Sequence, residues 1–396
     1  MNFIFVSPNF PKIYSHFVKA LHDRGVTVLG IGDERYENLN DELKANLTEY
    51  CYVSNLANLD WMKNAVSYLK DKYCDIDYIE SNNEFWLESD AKLREFINAK
   101  NGVRPLELEN WKYKSKMKAF FEKAGAKVAR YILVSSIDKS LEFVKKVGYP
   151  VFAKPDNGVG AAGTFKISND DELKAFHDKI GNEIYIMEEY IDGYITSFDG
   201  VANNNSEVIV SFNETFPTPI DQVVKSDSDL YYYAKMDMPD DFRAMGERVV
   251  KSFGIKNRCF HIEFFVLKQD KKGLAKKGDV VAIEVNMRSP GGETPELLCK
   301  ALSGSYYEIY ADTICYNKSD LSRWGERKVA ISVNRKNRFH YVHSHDEIYS
   351  KYNEFIKDYG KYPPSFRDAM GDEFYIGAFP NLELALEFQK FVSEKN

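Results

Sequence analysis

The chain has 396 residues, 44% of them hydrophobic and 29% charged, with a formal net charge of −7. That length allows two or three domains, and the composition is that of a folded chain and not a disordered one. No Lys/Arg block offers a nucleic-acid footprint and no apolar run is long enough to span a bilayer, so small molecules are the expected partners.

The opening MNFIFVSPNFPK lacks a basic flank and a long apolar core, and reads as a first strand and not a leader. Strands are expected over 2–6, 26–30, 50–53 and 76–79, and helices over 14–24, 61–72 and 91–98. This β/α alternation implies a small parallel sheet. Residues 101–105, with a glycine and a proline, mark a boundary. A Lys-rich helix follows over 110–125, closed by Gly125. Strands at 131–134 and 151–154 flank a helix at 141–147. A strand at 164–167 then leads to a helix at 170–179, for which Ser168 is the expected cap. Further strands are expected at 184–191, 197–201 and 208–212, and a helix at 247–253. Strands at 260–267 and 280–285 are joined by KQDKKGLAKKGD, a charged loop expected to be solvated. After Arg327 a smaller α+β tail closes with a helix over 382–395. The cysteines Cys51, Cys74, Cys259, Cys299 and Cys315 are scattered and form no CxxC pair. That suits a reduced, cytoplasmic protein without a disulfide framework or a zinc site.

Three segments carry chemistry. Gly158-Val-Gly160-Ala-Ala-Gly163 matches GxGxxG, but a strand follows it where a dinucleotide fold needs a helix. A kinase lysine would come after such a loop, whereas Lys154 precedes it. What remains is a side-chain-poor flap whose N–H groups can approach phosphate, or an ordinary glycine hairpin. In the second segment, Ile186-Met-Glu188-Glu189-Tyr190-Ile191, a strand ends in acids and apolar residues, which suits an adenine-binding hinge or a core strand. The third, EVNMR, alternates Glu284, Asn286 and Arg288 with Val285 and Met287. It therefore puts three polar groups on one strand face, as ligands or as a surface ion pair.

In this order the segments resemble the ATP-grasp superfamily, the carboxylate–amine ligases akin to biotin carboxylase and D-alanine–D-alanine ligase. The resemblance spans about residues 110–302. It implies an α/β and α+β multidomain chain: a β/α domain over 1–107, a small ATP-grasp subdomain with the glycine flap over 108–187, a large subdomain with the metal site over 188–325, and an α+β domain over 326–396. The family's helix-start lysine is matched by Lys116, with Ser115 where an aspartate is customary. Its strand lysine is matched by Lys154, its flap by Gly158, Gly160 and Gly163, and its hinge by Glu188, Glu189, Tyr190 and Ile191. The resemblance makes Glu263, Glu284 and Asn286 the ligands of magnesium or manganese, and Arg288 the catalytic arginine. Ile195 stands where the family often holds the ribose with an acid, for which Asp199 is a substitute.

The activity so implied is ATP-dependent activation of a carboxylate as an acyl phosphate and its joining to an amine. Alternatives are a bicarbonate-activating biotin carboxylase or carbamoyl-phosphate-type enzyme, and a non-catalytic nucleotide-binding protein. The absence of a QVEHP-like run after Arg288 argues against the first. The intact carboxylates argue against the second. The expected partners are a small carboxylate and a small amine, with no nucleic acid or membrane and with a homodimer as an allowed assembly.

Overall fold

The computed structural model describes all residues except 159–162, 219–222, 224–226 and 363–366. Its first sheet is parallel, in the order β3-β2-β1-β4, from β1 (Asn2–Val6), β2 (Thr27–Gly32), β3 (Glu49–Tyr52) and β4 (Tyr78–Glu80). Alternation along β1 serves two faces. Phe3 and Phe5 pack with Phe17 and Tyr14, while Ile4 and Val6 pack with Met62, Val66 and Leu69. A parallel strand covered on both sides has to read as a continuous apolar run, and NFIFV does. Just past the ends of β1 and β4, Ser7 and Asn82 adopt φ of 54° and 52°. The chain turns there and brings Glu84 onto the C-terminal edge of the sheet, where open α/β folds bind ligands.

The expected helix at 110–125 is two helices, Pro105–Lys112 and Lys114–Lys123, separated by Tyr113 at φ −86° and ψ 115°. Asp156 anchors the restart. Its carbonyl accepts the Lys114 N–H at 2.9 Å, and its carboxylate accepts the Ser115 N–H and hydroxyl, each at 2.7 Å. An acid at a helix start satisfies N–H groups that have no partner inside the helix.

Beyond β5 (Lys127–Val128), a second four-stranded sheet runs β6-β9-β7-β8, from β6 (Tyr131–Leu133), β7 (Val151–Pro155), β8 (Phe165–Ile167) and β9 (Tyr185–Glu189). The helix Asp170–Lys179 is capped by Asn169, which accepts the Glu172 N–H at 2.9 Å, and not by the expected Ser168. Ser168 instead donates its own N–H to the Glu172 carboxylate at 2.7 Å.

The third sheet has nine strands, adding β10 (Gly193–Ala202), β11 (Val208–Phe216), β12 (Tyr231–Lys235), β13 (Arg258–Leu267), β14 (Val280–Asn286), β15 (Val329–Arg335), β16 (Ile356–Lys361) and β17 (Glu373–Phe379). Their order is β16-β17-β15-β12-β11-β10-β13-β14-β5. The segment expected as a separate C-terminal α+β unit thus continues the central sheet. The link is β12, unrecognised in the sequence, which pairs with both β11 and β15. Its Tyr231 and Tyr233 pack against the β15–β17 core, so they are wall residues of that core. Two apolar helices, Thr294–Leu302 and Tyr306–Tyr316, were also hidden from sequence reading. Both are buried nearly all round, and such helices carry no amphipathic stripe. No helix among the described residues is long and apolar enough to cross a membrane.

Candidate active site

Antiparallel pairing of β13 and β14 sets Glu263 opposite Glu284, and His261 opposite Asn286. Residues directly opposite share a face. The two carboxylates therefore project together, their side chains 24% and 21% exposed. One residue further the register slips and Phe264 pairs with Ala282, leaving Ile283 as an extra residue that bends the strand beside the pair. Asn286 lies on the same face, its Nδ2 3.5 Å from Glu284 Oε1. The strand ends at Asn286, so Arg288 lies beyond it and not on it. Its Nε is 3.2 Å from Glu84 Oε2, and one guanidinium nitrogen donates to the Ser289 carbonyl at 2.9 Å. Burial raises the Glu84 carboxyl's pKa even though Arg288 draws it down.

Three lysines converge opposite these acids. Lys154, on β7, places Nζ 2.7 Å from Glu188 Oε2. Lys118 is bonded to Oε1 of the same carboxylate. Lys114 donates to the Gly158 carbonyl at 2.8 Å and lies 3.9 Å from Glu284 Oε2. Burial draws the pKa of Lys114 and of Lys118 below the usual lysine range. At Lys154 burial pulls the same way, but Glu188 and Glu284 outweigh it and the net shift is upward. Burial alone would raise Glu188; the flanking Lys118 and Lys154 instead hold it at about 2.

The structure does not bring Lys116 to this cluster. Its side chain is 45% exposed, bonded to Glu109, with Nζ 5.0 Å over the Tyr113 ring. The break at Tyr113 is the reason. Once the helix restarts at Lys114, residues 114 and 118 share a face, while 116 is rotated about 200° away.

The hinge residues divide in a similar way. Successive side chains on β9 point to opposite faces, so Glu188 meets the lysines and Glu189 turns away from them. The Glu189 side chain is fully buried, bonded by the Arg130 N–H at 2.8 Å and by Arg130 Nε at 2.9 Å. The Tyr190 ring stacks on Phe152 with centroids 5.7 Å apart, and Ile191 is buried. At the flap, Gly163 has φ +73°, a conformation that favours glycine. Gly160 lies outside the described residues.

A buried polar chain stands behind the acids. His261 Nε2 lies 2.9 Å from Glu263 Oε1, and its Nδ1 pairs with Asp199, which also accepts from Ser197. Burial opposes the charge on His261, but Asp199 and Glu263 raise its pKa well above the usual value. Glu263 would be raised by burial but is lowered by His261. Asp199 is fully buried and bonded through both oxygens, so it is not placed to hold a ribose as the sequence alternative supposed. Glu214 accepts from Thr294 at 3.0 Å, within the same buried group.

The donor set suits a hard divalent cation. Glu263, Glu284 and Asn286 offer oxygens, two of them anionic, and Glu263 is held in its charged form. Sequence reading missed Lys114, Lys118, Glu84 and His261. An acidic residue just after the last parallel strand was a signal for Glu84, and alternation from Glu263 pointed to His261.

The cleft thus sets lysines from β7 and the helix Lys114–Lys123 against oxygen donors from β13 and β14. Residues 112–292 match the family model described as the ATP-grasp domain, and this segment is an ATP-grasp domain. The chain is 22% identical over 269 residues to the alanine–anticapsin ligase of Bacillus subtilis, covering 61% of this chain and 55% of that protein. Over 83 residues it is 31% identical to D-alanine–D-alanine ligase B of Clostridium perfringens, 20% of this chain and 28% of that one. The chain therefore spans about half the length, or less, of these relatives. The solved L-amino acid ligase from Bacillus licheniformis superposes with a TM-score of 0.69 at 15% identity, over 98% of this chain and 96% of that one. That likeness extends the fold to the whole chain.

Proposed function

We propose that the protein is an ATP-dependent ligase that activates a small carboxylate and joins it to an amine, with an amino acid on at least one side. What carries this reading is the convergence of Lys114, Lys118 and Lys154 on the face opposite Glu263 and Glu284. Lys118 and Lys154 share one hinge carboxylate, Glu188, and Lys114 adds a third ammonium group beside Glu284, so the cluster has capacity for an added anion. The paired acids have the complementary capacity for a cation. A metal-bound triphosphate supplies both charges in one ligand.

In this reading the lysines and the flap N–H groups hold the phosphates, and the hinge from Glu188 to Ile191 holds the base through its backbone. Glu263, Glu284 and Asn286 would hold magnesium, which would supply charge neutralisation. A carboxylate oxygen of the substrate attacks the γ-phosphorus and the bond to ADP breaks, giving an acyl phosphate. The amine then attacks the acyl carbon, phosphate leaves with its electron pair, and the amine gives up a proton. Phosphoryl transfer asks mainly for positioning and charge neutralisation, which lysines and a guanidinium provide. In this reading Arg288, beyond the strand end and partnered by Glu84, receives the oxyanion of the second step.

The test is ADP release with magnesium across paired amino acids and other small carboxylates and amines. Release that requires both a carboxylate and an amine supports the reading. Release dependent on bicarbonate, or tight ATP binding with no turnover on any pair, overturns it.

A further inference from the structure

The segment 268–279 reads in sequence as a solvated loop, but it folds back onto the hinge. Lys271 and Ala275 form a bridge across it. Leu274 and Ala275 pack with Ala129, Ile191, Leu267 and Val281. Its polar atoms take the hinge residues in sequence. Lys271 Nζ lies 3.7 Å from Glu189 Oε2 and donates to the Tyr190 carbonyl at 3.1 Å. The Lys268 N–H donates to the Asp192 carbonyl at 2.9 Å, and Gln269 Nε2 to the Asp192 carboxylate at 3.2 Å. Glu189 is fully buried, and Lys271 with Arg130 supplies its countercharge. Glu189, which Lys271 approaches, points to the side of β9 opposite Glu188 and its lysines.

We propose that the hairpin 268–279 braces the hinge, and that Lys271 is a positioning residue for nucleotide binding. This rests on the reading of the cleft as an ATP site. One peptide plane links the brace to the site. A trans peptide is planar, so the Tyr190 carbonyl and the Ile191 N–H point in opposite directions. Holding the carbonyl against Lys271 fixes the N–H on the far side, where a base edge needs a donor. Leu274 and Ala275 hold Ile191 from the same side, so the hairpin sets both the side chain and the backbone of that residue. Lys271 itself touches no substrate.

The experiment compares MgATP affinity by calorimetry, KM for ATP and for the second substrates, and the thermal midpoint. The proteins are wild type, Lys271→Met, Lys271→Arg, Lys154→Met, and a chain with 269–278 replaced by Asn-Gly. Lys271→Met is expected to lose ATP affinity about five- to tenfold, the scale of a lost charge-assisted hydrogen bond felt indirectly. KM for the carboxylate and the amine should stay unchanged, Lys271→Arg should recover most of the affinity, and the Asn-Gly chain should lose at least as much as Lys271→Met. Wild-type affinity in Lys271→Met, with affinity lost in Lys154→Met, overturns the brace alone. A lower thermal midpoint with all KM values moved together makes Lys271 merely structural and also overturns it. A wild-type protein that binds no MgATP overturns the ATP reading, and the brace with it.

Discussion

Glu188 and Lys154 meet at 2.7 Å from adjacent strands, with Lys118 on the other oxygen of the same carboxylate. Glu188 is thus the internal anion of a cationic cluster, and it keeps the ammonium groups in place before any phosphate arrives. Glu188→Gln leaves Lys114, Lys118 and Lys154 without it. Removing one partner of a buried ion pair costs about 3–5 kcal/mol, so the nucleotide-free variant should unfold at markedly lower denaturant. MgATP should restore more stability to the variant than it adds to wild type. Equal stabilisation of the two proteins would separate Glu188 from the phosphate site.

Lys114 and Lys116 make a sharp pair because one helix break separates their faces. Lys114→Met should weaken ATP binding about tenfold or more, from loss of a charge-assisted contact. Lys116→Met should change it less than about twofold, since an exposed ion pair contributes little. The reverse order by calorimetry would restore Lys116 to the site and contradict the arrangement seen here.

Glu284→Gln with Asn286→Ala should abolish ATP turnover while the thermal midpoint holds, because both side chains face the cleft and not the core. Manganese binding followed by electron paramagnetic resonance should weaken at least tenfold, a loss of about 1.4 kcal/mol or more. Unaltered manganese spectra would place the cation elsewhere.

Glu214 gives a pH signature. Burial, with Asp199 adding to it, holds its carboxyl at about 8 against an ordinary 4.5. The folded protein keeps a proton that the unfolded chain releases, so this group's effect is a loss of stability as pH rises from 4.5 to about 8, level beyond. Glu214→Gln keeps a carbonyl acceptor for Thr294 and should escape that decline. Relative to wild type it should gain on the order of 1–3 kcal/mol between pH 5 and 8. A difference independent of pH would show that Glu214 is not protonated in the fold.

How much of this was legible in the sequence differs from residue to residue. The shared faces in VFAKP and in EVN were readable because a strand's two-residue period fixes which side chains point the same way. Arg288 falls past the strand end, where that period no longer applies. Lys116 was misplaced because helical phase depends on where the helix starts, and no glycine or proline marks the break at Tyr113. The continuity of the C-terminal strands was hidden because β12 finds β15 about a hundred residues later, Tyr231 pairing with Val333. In the hairpin, seven charged residues concealed Leu274 and Ala275, the two that pack.

Oxygen transfer from carboxylate to phosphate distinguishes an acyl phosphate from every other route. With the acceptor carboxylate labelled by oxygen-18, and an amine that supports ADP release, the released phosphate is weighed by mass spectrometry. If a carboxylate oxygen attacks the γ-phosphorus and phosphate is then displaced, each amide formed delivers one labelled oxygen to phosphate. Unlabelled phosphate accompanying amide formation would contradict the acyl phosphate, and with it the role given to the cleft.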